Sequence, residues 1–352
     1  MITNWKQLRG HHEQRSLFER SRAAGRLSHA YMLCGPDGIG KYQFARLLAQ
    51  SMFCRQSTPE KLEACGECRA CKGFLAGSWP DYIEIRRPEG KSEIPIDLLI
   101  GDKERRGREG LCYELSMAPQ ASDRRVAVID EAHYLNAAGA NALLKTLEEP
   151  PSAALILLIC RSVDSMIPTI RSRSQVIRFF PLSESDVASV LVESEMEPDT
   201  AKAREIAAMA DGSLTMAHQL MNETLRSLKD AIFREMVRLE EIKPLVIAGL
   251  IADQLDQISK NTEEERRNAL WLLRFVVDFL QKRLRSLTSG DFTDPLLKRF
   301  GVRDGVDLLA SLLQRVHVAV HQIEGNAAVR LVLEAMFDEL ARQIRLGPPA
   351  SR

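Results

Sequence analysis

The stretch Gly35-Pro36-Asp37-Gly38-Ile39-Gly40-Lys41 decides the fold of this 352-residue chain. It follows an apolar run, residues 30–34, that is typical of a buried strand, and it precedes a helical run, residues 43–53. A glycine-rich turn between a strand and a helix directs backbone N–H groups at a phosphate, and a lysine adds positive charge. The pattern predicts a P-loop for ATP or ADP, in which the phosphates contact Gly35, Gly38, Gly40 and Lys41.

Tyr42 stands where the P-loop motif has serine or threonine. The small hydroxyl at that position normally ligates Mg²⁺. A tyrosine carries its oxygen about 4 Å farther out on a rigid ring, where it has no good route to the metal. The sequence therefore predicts the architecture of an ATPase without its full chemistry.

A second element of a nucleotide site follows a predicted strand, residues 126–129. Asp130 and Glu131 come directly after it, as in a Walker B motif, where the aspartate holds Mg²⁺ through water and the glutamate polarises the attacking water. The alternative is a capped helix start, but the P-loop in the same domain favours the nucleotide site. Glu131 indicates that the chain hydrolyses ATP, whereas Tyr42 in place of the metal ligand indicates that it does not.

Composition narrows the class of protein. The 48 basic and 48 acidic residues cancel, so no overall positive field draws the chain to nucleic acid. No apolar run has membrane-spanning length, and the first residues lack the pattern of a signal peptide. We therefore expect a cytoplasmic protein without a membrane partner, whose seven cysteines stay mostly reduced.

Four cysteines form the pattern C-x10-C-x2-C-x2-C between the P-loop helix and the next strand: Cys54, Cys65, Cys68 and Cys71. Thiolates with this spacing on tight turns can bind one tetrahedral Zn²⁺. A redox C-x-x-C pair and coincidence are the alternatives. Four sulfurs leave no open coordination position, so the predicted zinc is structural. The other three cysteines are predicted core residues: Cys34, Cys112 and Cys160.

The chain divides by pattern into three parts. Residues 1–181 alternate short strands with helices, which predicts an α/β domain with a parallel sheet and the cysteine insert at about 54–71. Residues 182–222 form a small helical unit, the lid, in which Ser183 and Asp186 have capping-box spacing. Residues 223–352 are all helical, and Thr262 with Glu265 marks a second capping box.

Four segments together resemble the AAA+ clamp-loader family of bacterial replicases. They are residues 25–31, the four-cysteine insert, residues 140–151 (Ala-Asn-Ala-Leu-Leu-Lys-Thr-Leu-Glu-Glu-Pro-Pro) and residues 168–174 (Pro-Thr-Ile-Arg-Ser-Arg-Ser). The resemblance implies an AAA+ P-loop domain, a helical lid and a C-terminal collar that assembles the complex. It also implies a five-subunit ring, with gamma/tau-type and delta-type partners, that loads the sliding clamp on primed DNA.

Within this family, residues 172–174 resemble a Ser-Arg-Cys motif in which Ser174 replaces the cysteine. The resemblance implies that Arg173 acts in trans, as an arginine finger at the ATP site of a neighbouring subunit. Thr215 lies where active subunits carry a second sensor arginine. Together with Tyr42, this departure favours a subunit that donates an arginine finger to its neighbour but is itself weak or inactive in ATP hydrolysis.

Two other functions stay open at this point. One is an ATP-hydrolysing motor subunit of the gamma/tau type, against which Tyr42 and Thr215 argue. The other is a zinc-dependent nucleic-acid-binding module, which the scarcity of basic and aromatic residues around the cysteines disfavours. The charged run 102–108, which contains Lys103 to Arg108, either contacts DNA phosphates or forms a solvated helix face.

Overall fold

A computed structural model describes residues 2–88, 91–237, 243–288 and 295–346. The chain forms two compact units, one reaching to Gln219 and the other starting at Leu220. Residues 182–219 of the predicted lid belong to the first unit. The division into three domains stays a prediction.

The first unit is built on a five-stranded parallel sheet with the order β2-β3-β4-β1-β5. The strands are β1 Ala30–Cys34, β2 Tyr82–Ile85, β3 Arg125–Ile129, β4 Ala154–Cys160 and β5 Gln175–Arg178. Every residue of β1, β3 and β4 is buried. Such continuous apolar runs are typical of central parallel strands, which are covered on both faces.

Helices cover both faces of this sheet. Alternate residues of a strand face opposite sides: Tyr31 and Leu33 join the core that contains Phe44, whereas Met32 joins the core that contains Leu143. The helices of this part of the chain are α1 His12–Ala23, α2 Lys41–Phe53, α3 Arg69–Leu75, α4 Asp97–Ile100, α5 Leu111–Ser116, α6 Ala137–Glu148, α7 Pro168–Arg171, α8 Glu184–Glu193, α9 Thr200–Met209 and α10 Leu214–Leu220.

The parallel register places the ends of the strands at one edge of the sheet. Cys34 at the end of β1 pairs with Cys160 at the end of β4, and Ile85 at the end of β2 pairs with Ile129 at the end of β3. The residues that follow these four strands therefore share an edge, which is where open α/β sheets bind ligands. They are Gly35, Arg86, Asp130 and Arg161.

The described residues of the second unit form helices and the turns and loops that join them. Its helices are α11 Glu223–Val237, α12 Pro244–Ile258, α13 Thr262–Thr288, α14 Pro295–Glu324, which is kinked at Gly301, and α15 Val329–Leu346. The apolar face of α13 is largely buried within the chain, with Trp271 and Phe275 in edge-to-face contact. No helix in the described ranges is long and apolar enough to cross a membrane.

The two predicted capping boxes have different outcomes. At α8, Ser183 Oγ accepts a hydrogen bond from the Asp186 N–H at 3.1 Å, as predicted. At α13, the prediction was wrong by one residue: Asn261 Oδ1 accepts from the Glu264 N–H at 2.8 Å. Asparagine is as good an N-cap as threonine, so a second acceptor one position earlier takes the role.

The charged run 102–108 forms turns, so the predicted helix face is wrong. The Asp102 carboxylate accepts hydrogen bonds from the N–H groups of Glu104 and Arg105 at 3.0 and 2.8 Å. Such a side chain-to-backbone turn competes with helix formation. The residues of this run are exposed, as predicted for a solvated segment.

Candidate functional site

The P-loop runs from the end of β1 to the start of α2. Three of its positions require glycine for structural reasons. Gly38 and Gly40 have φ of 76° and 95°, a left-handed conformation that favours glycine. The Gly35 N–H donates to Cys160 O at 3.2 Å, and a Cβ on Gly35 would lie 2.5 Å from Phe179 O. The loop is thus fixed on β4 and on the residue after β5.

The side chain of Lys41 folds back onto the backbone of the P-loop. Its ammonium donates to the carbonyl groups of Gly35 and Pro36, each at 2.5 Å, and the residue is buried. Burial lowers the pKa of Lys41, while the nearby Asp37 carboxylate opposes that shift. The cation that the motif supplies for a phosphate is therefore present at the loop and is held by backbone carbonyls.

The start of α10 packs on the P-loop. The Leu214 N–H donates to Gly38 O and Ser213 Oγ donates to Asp37 O, both at 2.8 Å. A Cβ on Gly38 would lie 2.6 Å from Thr215 Oγ1. Thr215, which the sequence singled out at the second sensor position, thus lies directly beside the P-loop.

The Tyr42 hydroxyl points towards β2. It donates to Glu84, 3.0 Å from each carboxylate oxygen, and accepts from Arg46 Nη1 at 3.0 Å. Burial raises the pKa of Tyr42. The phenol oxygen is therefore engaged with a carboxylate on an edge strand, at the far end of the ring from the backbone of the loop.

Arg86 follows β2 and lies against Tyr42. Its guanidinium carbon is 3.9 Å from the centre of the Tyr42 ring, within the range of a cation–π contact. Its Nε is 2.6 Å from Glu84 Oε1 and 3.9 Å from Asp130 Oδ2. We did not predict a role for Arg86 from the sequence. The available signal was two consecutive arginines at the end of a short β-rich run.

Both Walker B carboxylates face arginines. Burial raises the pKa of Asp130, and the Arg86 cation opposes that shift. Glu131 has a left-handed backbone, with φ of 51°, and its Oε2 is 3.3 Å from Arg87 Nε. Asp130 and Glu131 thus lie at the same edge of the sheet as the P-loop, and each carboxylate is beside a guanidinium.

A third arginine follows β4. Arg161 Nε is 2.7 Å from the carboxylate of Asp37 in the P-loop. Ser162, the next residue, exchanges hydrogen bonds with Ser165, from its N–H at 3.3 Å and to its Oγ at 3.2 Å. The side chain that reaches the P-loop from the end of β4 is therefore that of Arg161.

Arg173 lies between α7 and β5, and its side chain is 34% exposed. Its Nη2 is 2.5 Å from Glu148 at the end of α6, and its Nη1 donates to Thr169 O at 3.0 Å. Two helices thus hold this guanidinium at the surface, and the contacts that hold it do not involve the P-loop.

The four cysteines of the insert form a separate group. Their sulfur atoms all lie within 4.8 Å of one another, with 3.6 Å between Cys54 and Cys65 and 3.9 Å between Cys65 and Cys71. Four sulfurs around one Zn²⁺ at about 2.3 Å are about 3.8 Å apart. Backbone N–H groups of Cys65, Cys68 and Cys71 each donate to the sulfur of the preceding cysteine. The group can hold one metal ion.

Hydrogen bonds favour a thiolate at Cys68, whereas burial raises the pKa of Cys71. Burial acts to raise the pKa of Cys68, but N–H groups of Cys71 and Arg55 and the neighbouring thiols lower it to about 6. Metal ligands must be deprotonated, so this environment suits a metal-bound sulfur.

Similarity to known proteins agrees with these motifs. Residues 10–183 match the family described as "DNA polymerase III, delta subunit". The chain is 29% identical over 246 residues to the DNA polymerase III subunit delta' of Pseudomonas aeruginosa, which covers 70% of this chain and 71% of that protein. It is 32% identical over 203 residues to subunit delta' of Bacillus subtilis, covering 57% of each.

The chain is also similar to gamma- and tau-type proteins. The chain is 38% identical over 151 residues to the DNA polymerase III subunit gamma/tau of Mycobacterium tuberculosis, covering 43% of this chain but only 24% of that protein. The match to the delta' protein of Pseudomonas aeruginosa, over 246 residues, is longer than the match to the tau protein of Bacillus subtilis, over 206 residues. With the parallel sheet order, the P-loop and the four-cysteine insert, the family match and the delta' matches show that the chain belongs to the delta-prime family of DNA polymerase III clamp-loader subunits.

Proposed function

We propose that this clamp-loader subunit presents Arg173 to the ATP site of a neighbouring subunit and is itself weak or inactive in ATP hydrolysis. It works with gamma/tau-type and delta-type partners in a five-subunit ring that loads the sliding clamp on primed DNA. Its four cysteines hold a structural Zn²⁺. The assignment of the P-loop glycines and Lys41 to nucleotide binding belongs to the same proposal.

The proposal of weak ATP hydrolysis is supported above all by the pairing of the Walker B carboxylates with arginines. Asp130 needs a free oxygen for metal-bound water, and Glu131 needs one for the attacking water. Arg86 and Arg87 lie beside these oxygens instead. Tyr42 adds to the defect because its hydroxyl is engaged with Glu84.

Arg173 supports the other half of the proposal. An arginine finger must be exposed and held in place, because its guanidinium has to meet a phosphate across an interface. Arg173 is partly exposed and held by Glu148 and Thr169. Contact with an ATP phosphate would exchange the Glu148 partner for a second anion with more charge.

The test is reconstitution of the loader with Arg173→Ala, followed by measurement of DNA- and clamp-stimulated ATP turnover. Loss of a finger lowers the rate at the affected site by about 10³-fold or more. Total ATP turnover should fall by the fraction that the one neighbouring ATP site contributes. Clamp loading should fall with it. The matched control is Arg171→Ala, since Arg171 is an exposed arginine of the same segment that pairs with Asp164.

Unchanged turnover and loading in Arg173→Ala would contradict the proposal. The second candidate is a gamma/tau-type motor, which the retained Lys41 and Glu131 and the 38% identity favour. Steady ATP hydrolysis by the purified chain alone would make this the leading function.

A further inference from the structure

The two residues that would hold Mg²⁺ in a P-loop ATPase lie on either side of another cation. In a P-loop ATPase the residue after the lysine and the Walker B aspartate together hold Mg²⁺. Here these residues are Tyr42 and Asp130, and the group between them is the Arg86 guanidinium. It stacks 3.9 Å from the Tyr42 ring centre and has its Nε 3.9 Å from Asp130 Oδ2.

The carboxylates at this position carry negative charge that a metal ion would balance in a P-loop ATPase. Two carboxylates, Glu84 and Asp130, converge on Arg86 Nε. Nε is the atom of Arg86 closest to each of these carboxylates. The Arg86 side chain is 50% exposed. The guanidinium is therefore partly exposed at the edge of the sheet that the P-loop occupies.

A guanidinium has suitable chemistry for part of the role of the metal. It is positively charged at any working pH and binds phosphate oxygens through two parallel N–H groups. It has no exchangeable coordination position, so it cannot order and activate water as a metal does. A site built in this way would bind polyphosphate without hydrolysing it.

We propose that Arg86 takes the place of Mg²⁺ and that the P-loop binds the polyphosphate of a nucleoside di- or triphosphate without a divalent cation. On binding, Lys41 exchanges its two backbone carbonyl partners for phosphate oxygens, and Arg86 neutralises the charge that Mg²⁺ would carry. This role for Arg86 rests on the proposed nucleotide binding at the P-loop and is independent of Arg173.

The experiment measures binding of N-methylanthraniloyl-ADP to the full chain, by fluorescence, in EDTA and in excess Mg²⁺. Wild-type protein should bind with the same affinity in both. Arg86→Gln should bind about tenfold more weakly in EDTA, the loss expected for one charge-assisted phosphate contact. Mg²⁺ should restore part of this loss, because the variant leaves Asp130 unpaired.

Restoration by Mg²⁺ distinguishes a ligand-binding role from a structural one, since a misfolded loop would not regain affinity with metal. Arg105→Gln is the control, because Arg105 is an exposed arginine paired with Glu109 in the charged run. Wild-type binding that requires Mg²⁺, no binding at all, or unchanged binding by Arg86→Gln would each overturn the proposal. None of these outcomes bears on ATP turnover in the Arg173→Ala loader.

Discussion

At the scale of single residues, two glycines share a backbone conformation but differ in their surroundings. Gly38 in the P-loop and Gly77 after α3 have φ of 76° and 71°. A Cβ on Gly77 would meet nothing within 4 Å, whereas one on Gly38 would collide with Ser213 and Thr215 of the lid. The pair therefore separates backbone strain from contact between lid and loop.

We expect Gly38→Ala to destabilise the first unit more than Gly77→Ala. Both variants force alanine into a left-handed conformation, at about 1–2 kcal/mol. Gly38→Ala also displaces two packed side chains, which adds about 1–3 kcal/mol. Urea unfolding followed by tryptophan fluorescence measures the difference. Equal free energies for the two variants would mean that the lid does not pack on the loop.

The residue scale also shows what the sequence could and could not predict. The replacement at Tyr42 was visible because the motif fixes which residue stands there. Arg86 was not, because its contacts depend on β2 lying beside β3 and on the start of α2 placing Tyr42 beside Glu84. Residues 42, 86 and 130 are far apart in the chain, and only the strand order brings them together.

At the scale of elements, the cysteine insert is a compact local structure. Cys54 follows α2 and Cys68 is the N-cap of α3, so two helix ends hold the sulfur group. The spacing alone was enough to predict this group, because ligands so close in sequence need no distant strand to bring them together. Its agreement with a zinc tetrahedron makes metal content a direct test.

We expect the purified chain to carry one zinc ion, and Cys65→Ser to lose it. Serine does not replace a thiolate as a zinc ligand, and three sulfurs bind the ion more weakly. Mass spectrometry of the metal in native protein measures the ratio. Cys112→Ser is the matched control, because Cys112 donates to Ala142 O outside the group. Equal zinc content in both variants would contradict the assignment.

Element boundaries were predicted with different success. Strands β1, β3 and β4 were visible as apolar runs because both faces of each are buried. The edge strands β2 and β5 are only partly buried, so their sequences carry a weaker signal. The turns of 102–108 were missed because charge composition does not distinguish a helix face from a loop.

At the scale of the whole molecule, the second unit exposes several large apolar side chains. Several large apolar side chains of α12 and α15 are more than 40% exposed: Leu245, Val246, Leu250 and Leu331. Val246 and Leu250 are four residues apart and thus lie on one face of α12. The apolar face of α13, by contrast, is largely buried within the chain.

We expect Val246→Glu to prevent co-elution with purified gamma/tau-type and delta-type subunits in gel filtration. A carboxylate buried in an apolar interface without a partner is strongly unfavourable. Val318→Glu is the control, because Val318 is 43% exposed on α14, outside this pair of helices. Normal assembly of Val246→Glu would mean that this face of α12 does not contact the partner subunits.

The central position of β1 also has a consequence for the synthesis of the chain. Its neighbours in the sheet are β4 and β5, and Cys34 is 126 residues from its partner Cys160. At about 5–20 residues per second, a ribosome takes roughly 6–25 s to make the intervening chain. Until then the apolar segment 30–34 has no strand to pair with, so nascent-chain chaperones have a defined stretch to shield.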